Sequence, residues 1–224
     1  MKDTSRFPTF SARLVGVLSI AYAIFFLLIS RQAPFIGGLG GWIILAASGF
    51  FSSAVYVALY TRLKENDETM ALWAMILGVG ASFATILHGS YQALLLARYS
   101  NLTGSLNDTL TNLQALPSQA DPGGLATFFL VGIVSLLFSS LFLRSGVFPR
   151  NLAVLGVVNG CLLIILYLAT ISGVQTLILI SGGLTSVILG PIWWIWIGAA
   201  MQIASPVRAS QSTSTPRSTS QGMQ

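Results

Sequence analysis

The sequence predicts an all-α membrane protein in which six transmembrane helices form one bundle. Of the 224 residues, 54% are hydrophobic and only 8% are charged, whereas a soluble domain carries about 25% charged residues. Six apolar blocks are each long enough to cross a hydrocarbon core, which needs about 20 helical residues. Because a backbone in lipid has to satisfy its own hydrogen bonds, each block is expected to be a helix. We place the helices at about 12–30, 39–60, 70–97, 124–143, 151–171 and 176–203, within a transmembrane domain over residues 1–204.

The first apolar block has the features of a retained helix and not those of a cleaved signal peptide. It ends at Ser30 and is followed by Arg31 and, shortly afterwards, by Pro34. A signal peptidase needs small residues at this place. We therefore count this block as the first span.

The distribution of positive charge predicts an inner-membrane protein with both termini in the cytoplasm. Lys and Arg concentrate on the cytoplasmic side of membrane proteins. With the N-terminus inside, nine of the eleven Lys and Arg fall on that side, and Arg31 and Arg98 fall outside. The nine are Lys2, Arg6, Arg13, Arg62, Lys64, Arg144, Arg150, Arg208 and Arg217.

The remaining charges and the single cysteine exclude several classes of function. All six acidic residues fall in predicted loops or in the N-terminal tail, so we expect no carboxylate to be buried in the membrane. Ion-coupled pumps and acid/base enzymes need such groups. No basic run follows a phosphate backbone, which argues against a nucleic-acid partner. One cysteine, Cys161, and one histidine offer no zinc-binding pattern, so no metal is expected.

Two segments outside the six blocks have their own patterns. Leu106, Leu110 and Leu113 recur at helical spacing, which predicts an amphipathic helix over about 105–116 on the outer face. Such a helix lies on the outer leaflet or covers the bundle. The Ser-, Thr- and Gln-rich tail 205–224 is predicted to be disordered in the cytoplasm.

Small residues at four-residue spacing predict close contacts between helices, since helices in lipid associate through tight packing of such residues. In the third block, Ala81 and Gly89 belong to a ridge of this kind. In the fifth block, Gly156 and Gly160 form a GxxxG pattern that encloses Asn159. These residues are expected to hold the bundle together.

The sixth block contains a candidate hinge followed by an aromatic cluster. A proline inside a helix removes one hydrogen bond and clashes with the preceding turn, so a kink or break is expected there. The following tryptophans either pack at the membrane interface, as expected for Trp42 also, or shape a ligand pocket. The candidate residues are Gly190, Pro191, Trp193, Trp194 and Trp196.

The only histidine, His88, lies on a polar face of the third block. Thr85 and Gln92 share its face, and Tyr91 is close to it on the helical wheel. Three interpretations remain open: a hydrogen bond to another helix, a contact to a transported or sensed molecule, or axial ligation of a tetrapyrrole. Haem in membrane bundles commonly takes two axial ligands, whereas a magnesium pigment needs only one. No cofactor is expected unless His88 ligates a tetrapyrrole.

Three stretches occur together in a familiar order. They are the first helix led by Arg13, "FPRNLAVLGVVNG" at 148–160 and "GPIWWIWIGAAM" at 190–201, with "LHGSYQ" around His88 as a further match. In order and spacing they resemble a bacterial family of six-helix integral membrane proteins classed as a domain of unknown function. The resemblance spans about residues 8–203. It implies a fold and a bacterial membrane, and it supplies no catalytic residues.

These observations favour a non-enzymatic role. The first hypothesis is an accessory, scaffold or binding subunit of a membrane assembly, with the lipid bilayer, other membrane subunits or a second copy of the chain as partners. The second is a carrier for a neutral or lipid-like solute. The third is a pigment- or haem-binding subunit that uses His88.

Overall fold

The chain is helical throughout the part that can be described. The computed structural model describes residues 6–100 and 121–203, and these ranges contain no β-strand. The helices are α1 (Arg6–Ile24), α2 (Pro34–Leu63), α3 (Glu68–Ser100), α4 (Val131–Ser145), α5 (Arg150–Ser172), α6 (Gln175–Gly183) and α7 (Gly190–Ile203). Three π-helical segments interrupt or extend them, at Phe25–Ile29, Leu125–Leu130 and Leu184–Leu189.

Six helical spans are long and apolar enough to cross a membrane. The sixth span consists of α6, the π-helical segment Leu184–Leu189 and α7. The expected all-helical, six-span fold is confirmed, although α1 begins at Arg6 and so starts before the predicted residue 12. The predicted helix at 105–116 and the tail 205–224 lie outside the described residues.

Local chemistry explains where several of these helices begin and end. The Asp67 carboxylate accepts a hydrogen bond from the Met70 N–H, at 2.9 Å, and so caps the start of α3. Gly146 and Gly173 follow α4 and α5 with φ of 63° and 69°. Glycine adopts this left-handed conformation without the penalty that a Cβ would bring, which is why it commonly follows a helix end.

The spans form a closed ring in which each packs against its neighbours in sequence. The sixth span returns to the first, where the Arg13 guanidinium donates to the Gln202 side-chain oxygen at 2.6 Å. The expected small-residue contacts are present. A Cβ at Gly89 would lie 2.6 Å from the Trp42 carbonyl oxygen on α2, and a Cβ at Gly160 would lie 2.8 Å from the Gly132 carbonyl oxygen on α4. The glycines thus allow neighbouring backbones to approach closely.

Large apolar side chains face outward from this ring, and small or polar ones face inward. Phe50, Phe83 and Leu179 are 60%, 61% and 63% exposed, whereas Ser52 and Ser82 are buried. Water would disfavour such a continuous apolar surface, and lipid favours it. The outer surface therefore agrees with a multi-pass membrane protein.

The two halves of the bundle are packed differently. Near the chain termini, aromatic rings from the second, fourth and sixth spans fill the centre. Tyr56 stacks on Phe138 with ring centroids 5.7 Å apart, and Trp194 packs edge-on against Tyr56 at 5.6 Å. Phe142 and Phe148 extend this aromatic cluster toward the end of the bundle. The opposite half encloses a cavity.

Candidate functional site

A cavity of about 530 Å³ lies inside the half of the bundle that is farther from the termini. All six spans contribute to its lining. Tyr56, Trp193 and Trp194 form the end of the cavity that meets the aromatic cluster. Gln92 and Asp121 lie toward the opposite end. Pockets that hold small organic ligands have volumes of about 300–1,000 Å³. The cavity is therefore large enough for a small organic molecule.

Serine and threonine hydroxyls make up most of the polar part of the lining. In the described part of the chain, six of them donate their proton to a backbone carbonyl three or four residues earlier in the same helix. They are Ser19, Ser48, Ser52, Thr85, Thr170 and Thr185, with oxygen–oxygen distances of 2.7–3.0 Å. A hydroxyl has one proton and two lone pairs. With that proton committed, these six oxygens are left with lone pairs only.

A carboxylate that the sequence places in a loop also lines the cavity. Asp121 is only 2% exposed. Its Oδ1 accepts from the Ala126 N–H at 2.7 Å, and its Oδ2 accepts from the Thr127 N–H at 3.0 Å and from the Thr127 hydroxyl at 2.6 Å. Helix N-termini favour negative charge because their N–H groups lack partners within the helix. The start of the fourth span thus holds Asp121 inside the bundle, although its place in the sequence is a loop.

The polar face predicted on α3 turns toward this cavity, with one exception. Thr85, His88 and Gln92 all line the cavity, whereas Tyr91 is half-buried outside the lining. The His88 ring lies edge-on to Trp42, with centroids 5.3 Å apart, and the Asp121 charge acts on His88 electrostatically. Trp42 thus contributes to the lining of the cavity beside His88.

Two hydroxyls on other helices, those of Thr185 and Ser135, are candidate partners for the hydrogen bond that one interpretation assigns to His88. Thr185 commits its proton to the Ser181 carbonyl at 2.7 Å. The Ser135 hydroxyl forms no hydrogen bond with any described residue. A Ser135–His88 hydrogen bond is therefore absent, although both residues line the cavity together with Ser48 and Ser186.

The sixth span changes helix type before Pro191 and is not broken there. The π-helical segment Leu184–Leu189 precedes Pro191, and the Gly190 N–H bonds to the Thr185 carbonyl five residues earlier. The wider turn accommodates the hydrogen bond that Pro191 cannot donate. Gly190, Trp193 and Trp194 line the cavity, whereas Pro191 is buried outside the lining.

Trp196, the third tryptophan of this group, packs against the aromatic half of the core and does not line the cavity. The interpretation as a ligand pocket therefore applies to some of these tryptophans, and the interpretation as packing applies to another. Trp193 and Trp194 shape the pocket, and Trp196 contributes to packing.

Residues predicted to pack the helices lie around and beneath the cavity. Ala81, Gly89, Gly156 and Gly160 are all buried in helix contacts. A Cβ at Gly156 would meet the Ser139 hydroxyl and the Trp193 indole nitrogen. The absence of a side chain at Gly156 therefore gives Trp193 the space that it occupies. Asn159, one turn farther along α5, lines the cavity itself.

Polar atoms collect in the layer between the cavity and the aromatic cluster. Ser135 Oγ, Ser139 Oγ, Asn159 Oδ1 and Trp193 Nε1 are buried without a hydrogen-bond partner among the described residues. An unpaired buried polar atom costs about 1–3 kcal/mol. Such a concentration beside a polar cavity is typical of a functional site and not of a core selected for stability.

Sequence reasoning missed three important lining residues, Tyr22, Trp42 and Asp121. The signal for Asp121 was present, because an acidic residue shortly before an apolar block is a candidate helix cap. No sequence signal distinguishes Tyr22 or Trp42 from interfacial aromatics. Their position depends on how α1 and α2 are rotated within the ring.

Comparison with known proteins identifies a family but no activity. A family model described as a domain of unknown function (DUF4386) matches residues 35–198, which is well over half of the chain. A search of curated proteins and a search of solved structures found no match.

Proposed function

Since this chain belongs to the DUF4386 family, a family of unknown function, we propose its role from the cavity itself. It is a multi-pass membrane protein that binds a small organic molecule inside the bundle. Binding, and not catalysis, is its own activity, and it serves other membrane components as an accessory or sensing subunit.

The observation that carries this proposal is the cavity of about 530 Å³ lined by all six spans. Protein interiors are packed as densely as organic crystals, and voids larger than a water molecule are few. The half of the bundle beside the aromatic cluster follows this rule, and the cavity half departs from it. Because small and hydroxyl-bearing residues line the space, the sequence keeps it open where larger apolar residues would fill it.

The hydrogen bonds of Ser48 and Thr85 argue against these two hydroxyls as catalytic nucleophiles. A catalytic serine or threonine passes its proton to an adjacent base. In the described chain, Ser48 donates to the Leu45 carbonyl at 2.7 Å, and Thr85 donates to the Ala81 carbonyl at 2.8 Å. Their protons are thus committed to groups that cannot act as a base.

The test is to fill the cavity with a larger side chain and to identify the small molecule that no longer copurifies with the protein. Ser48→Phe places a ring in the lining, and Ser53→Phe places the same ring on the same helix at a hydroxyl that is exposed. Both variants and the wild type are purified from native membranes into nanodiscs. Small molecules that copurify are extracted and identified by mass spectrometry. We expect a stoichiometric molecule in the wild type and in Ser53→Phe, and its loss in Ser48→Phe. Equal recovery from all three would place the binding elsewhere, and recovery from none would contradict the proposal.

We further propose that the protein lies in a bacterial inner membrane with both termini cytoplasmic. The support is the distribution of Lys and Arg along the chain. Val147 and Val174 are both exposed, and each lies in a short connection, the first between α4 and α5 and the second between α5 and α6. In a Cys161→Ser background, a membrane-impermeant maleimide added to intact cells should label Val174→Cys and spare Val147→Cys. The reverse pattern would contradict this orientation.

A second candidate is ligation of a tetrapyrrole, favoured by the position of His88 in the lining of the cavity. With one histidine in the chain, only one axial position can be filled by imidazole. The purified protein should then absorb visible light, and His88→Ala should abolish the absorbance while Ser90→Ala, at an exposed position on the same helix, keeps it. A colourless wild-type preparation would exclude this candidate.

A further inference from the structure

We propose that the molecule held in the cavity is a small organic cation with N–H donors, an alkylammonium. This inference rests on the proposed function and names the class of ligand. The ammonium group lies among the hydroxyls and near the Asp121 end of the cavity, and the alkyl chain extends toward Tyr56 and Trp194.

The first argument is the direction of the hydroxyl hydrogen bonds. Ser19, Ser48, Thr85 and Thr185 come from four different spans, and each donates its only proton to a carbonyl of its own helix. A carbonyl oxygen can only accept, so the donor is the hydroxyl in every case. The oxygens therefore offer acceptors to the cavity. A ligand rich in N–H donors matches these four oxygens, and a ligand with only acceptors does not. The Ser135 hydroxyl and the Trp193 Nε1–H, which have no partner among the described residues, are donors in the same lining.

The paired serines between α2 and α3 reinforce this pattern. Ser52 Oγ lies 2.8 Å from Ser82 Oγ and 3.0 Å from the Gly49 carbonyl. One proton of the pair lies between the two hydroxyls, and the other is donated to the Gly49 carbonyl. Both serines line the cavity, and neither has a proton left for a ligand without breaking an existing bond.

The second argument is charge. Within residues 6–100 and 121–203, the lining includes neither Lys nor Arg, and Asp121 is its only carboxylate. Three hydrogen bonds from Ala126 and Thr127 hold the Asp121 carboxylate in this wall of the cavity. Water screens charge poorly inside a membrane protein, so an anionic wall there attracts a cation much more strongly than it does in solution.

The third argument is the nature of the remaining surface. Leu18, Leu45 and Leu163 provide apolar contacts, and Trp42 and Trp194 add aromatic surface. An alkyl chain gains by leaving water for such a surface, and aromatic faces attract cations. The lining amides, Gln92 and Asn159, can accept as well as donate. The site therefore combines an apolar body with an acceptor-rich, negatively charged head region.

The experiment compares three probes of equal chain length. Hexylammonium has the charge and N–H donors, hexyltrimethylammonium has the charge without donors, and hexanol has one donor without the charge. Binding to wild-type protein in nanodiscs of zwitterionic lipid is measured by calorimetry and by tryptophan fluorescence, since Trp42, Trp193 and Trp194 line the cavity. Empty nanodiscs and the Ser48→Phe variant account for partition into lipid.

We expect hexylammonium to bind the wild type at least about tenfold more tightly than either control probe, as a charge-assisted donor would. Asp121→Asn should remove most of the preference over hexanol and leave hexanol binding unchanged. If that variant does not fold, the ranking of probes on the wild type still decides the question. Hexanol binding as tightly as hexylammonium, or hexyltrimethylammonium binding more tightly, would overturn the inference.

The experiments distinguish failure of this inference from failure of the proposed function. If the wild type yields a copurified molecule that Ser48→Phe loses, but hexylammonium does not bind or gains nothing over hexanol, then the cavity is a binding site and the assigned class is wrong. If neither the copurified molecule nor any probe depends on Ser48, the proposed function itself fails.

Discussion

Gly156→Leu should be among the most damaging single substitutions in the bundle. A Cβ at position 156 would meet two groups, the Ser139 hydroxyl and the Trp193 indole nitrogen. Ser139 and Trp193 are both 0% exposed, and of the two only Trp193 borders the cavity. The substitution therefore forces α5 away from its neighbours or pushes Trp193 toward the cavity.

The expected cost can be worked out from this geometry. Extra methylene groups forced into a packed core cost about 1–3 kcal/mol, and leucine brings four carbons into this space. Loss of glycine from a helix returns about 0.5–1 kcal/mol. We expect Gly156→Leu to lower the free energy of unfolding by about 3 kcal/mol or more, and Gly156→Ala by about 0–2 kcal/mol. The measurement is unfolding by SDS in mixed micelles, followed by circular dichroism.

Gly80→Leu is the matched control. Position 80 lies on the outer surface of α3, and a Cβ there has nothing within 4 Å. The same leucine should leave stability unchanged or raise it by up to about 1 kcal/mol. If Gly156→Leu and Gly80→Leu unfold at the same SDS fraction, then the contact at Gly156 does not hold the bundle together and the reasoning is refuted.

Four further substitutions test polar contacts inside the bundle and on its surface. Asp121→Asn should lower stability by about 1–2 kcal/mol because it weakens a three-bond helix cap; a midpoint of thermal unfolding equal to that of wild type would contradict this. Ser52→Ala and Ser82→Ala, measured singly and together in a double-mutant cycle, should show a coupling energy of about 0.6 kcal/mol for their interhelical hydrogen bond, and zero coupling would show that the bond contributes nothing. Arg144→Ala should change stability by less than about 1 kcal/mol, since its 3.8 Å ion pair with Asp67 is exposed; a larger loss would indicate a role for Arg144 beyond that pair.

The sequence and the structure agree best where the argument depends on lipid as the solvent. An apolar block of about 20 residues has to be a helix in a membrane whatever surrounds it, and six such helices are present. Glycine spacing was also informative, because the close approach of α2 to Gly89 needs only a missing Cβ on one face. The polar face of α3 was predicted for the same reason, since polar side chains in a span turn away from lipid.

The depth of individual side chains and the rotation of each helix could not be predicted from the sequence. Asp121 lies in a loop by composition, yet the start of the fourth span carries it inside the bundle. Trp42 has the composition of an interfacial residue, yet it contacts His88. Trp193 and Trp196 are three residues apart, and only Trp193 lines the cavity. Each of these outcomes depends on the angle at which one helix meets its neighbours.

The sequence by itself determined the solvent, the number of spans and the residues at which helices can touch. These properties follow from hydrophobicity and from side-chain volume, which are local. Only the tertiary structure decided that the ring is filled by aromatic rings near the termini and hollow in its other half. It also decided that hydroxyls from separate spans, His88 and Asp121 share one space. The physical reason is that a cavity belongs to no segment: it exists only because six helices meet with Ser, Thr and Gly on their facing surfaces at the same depth.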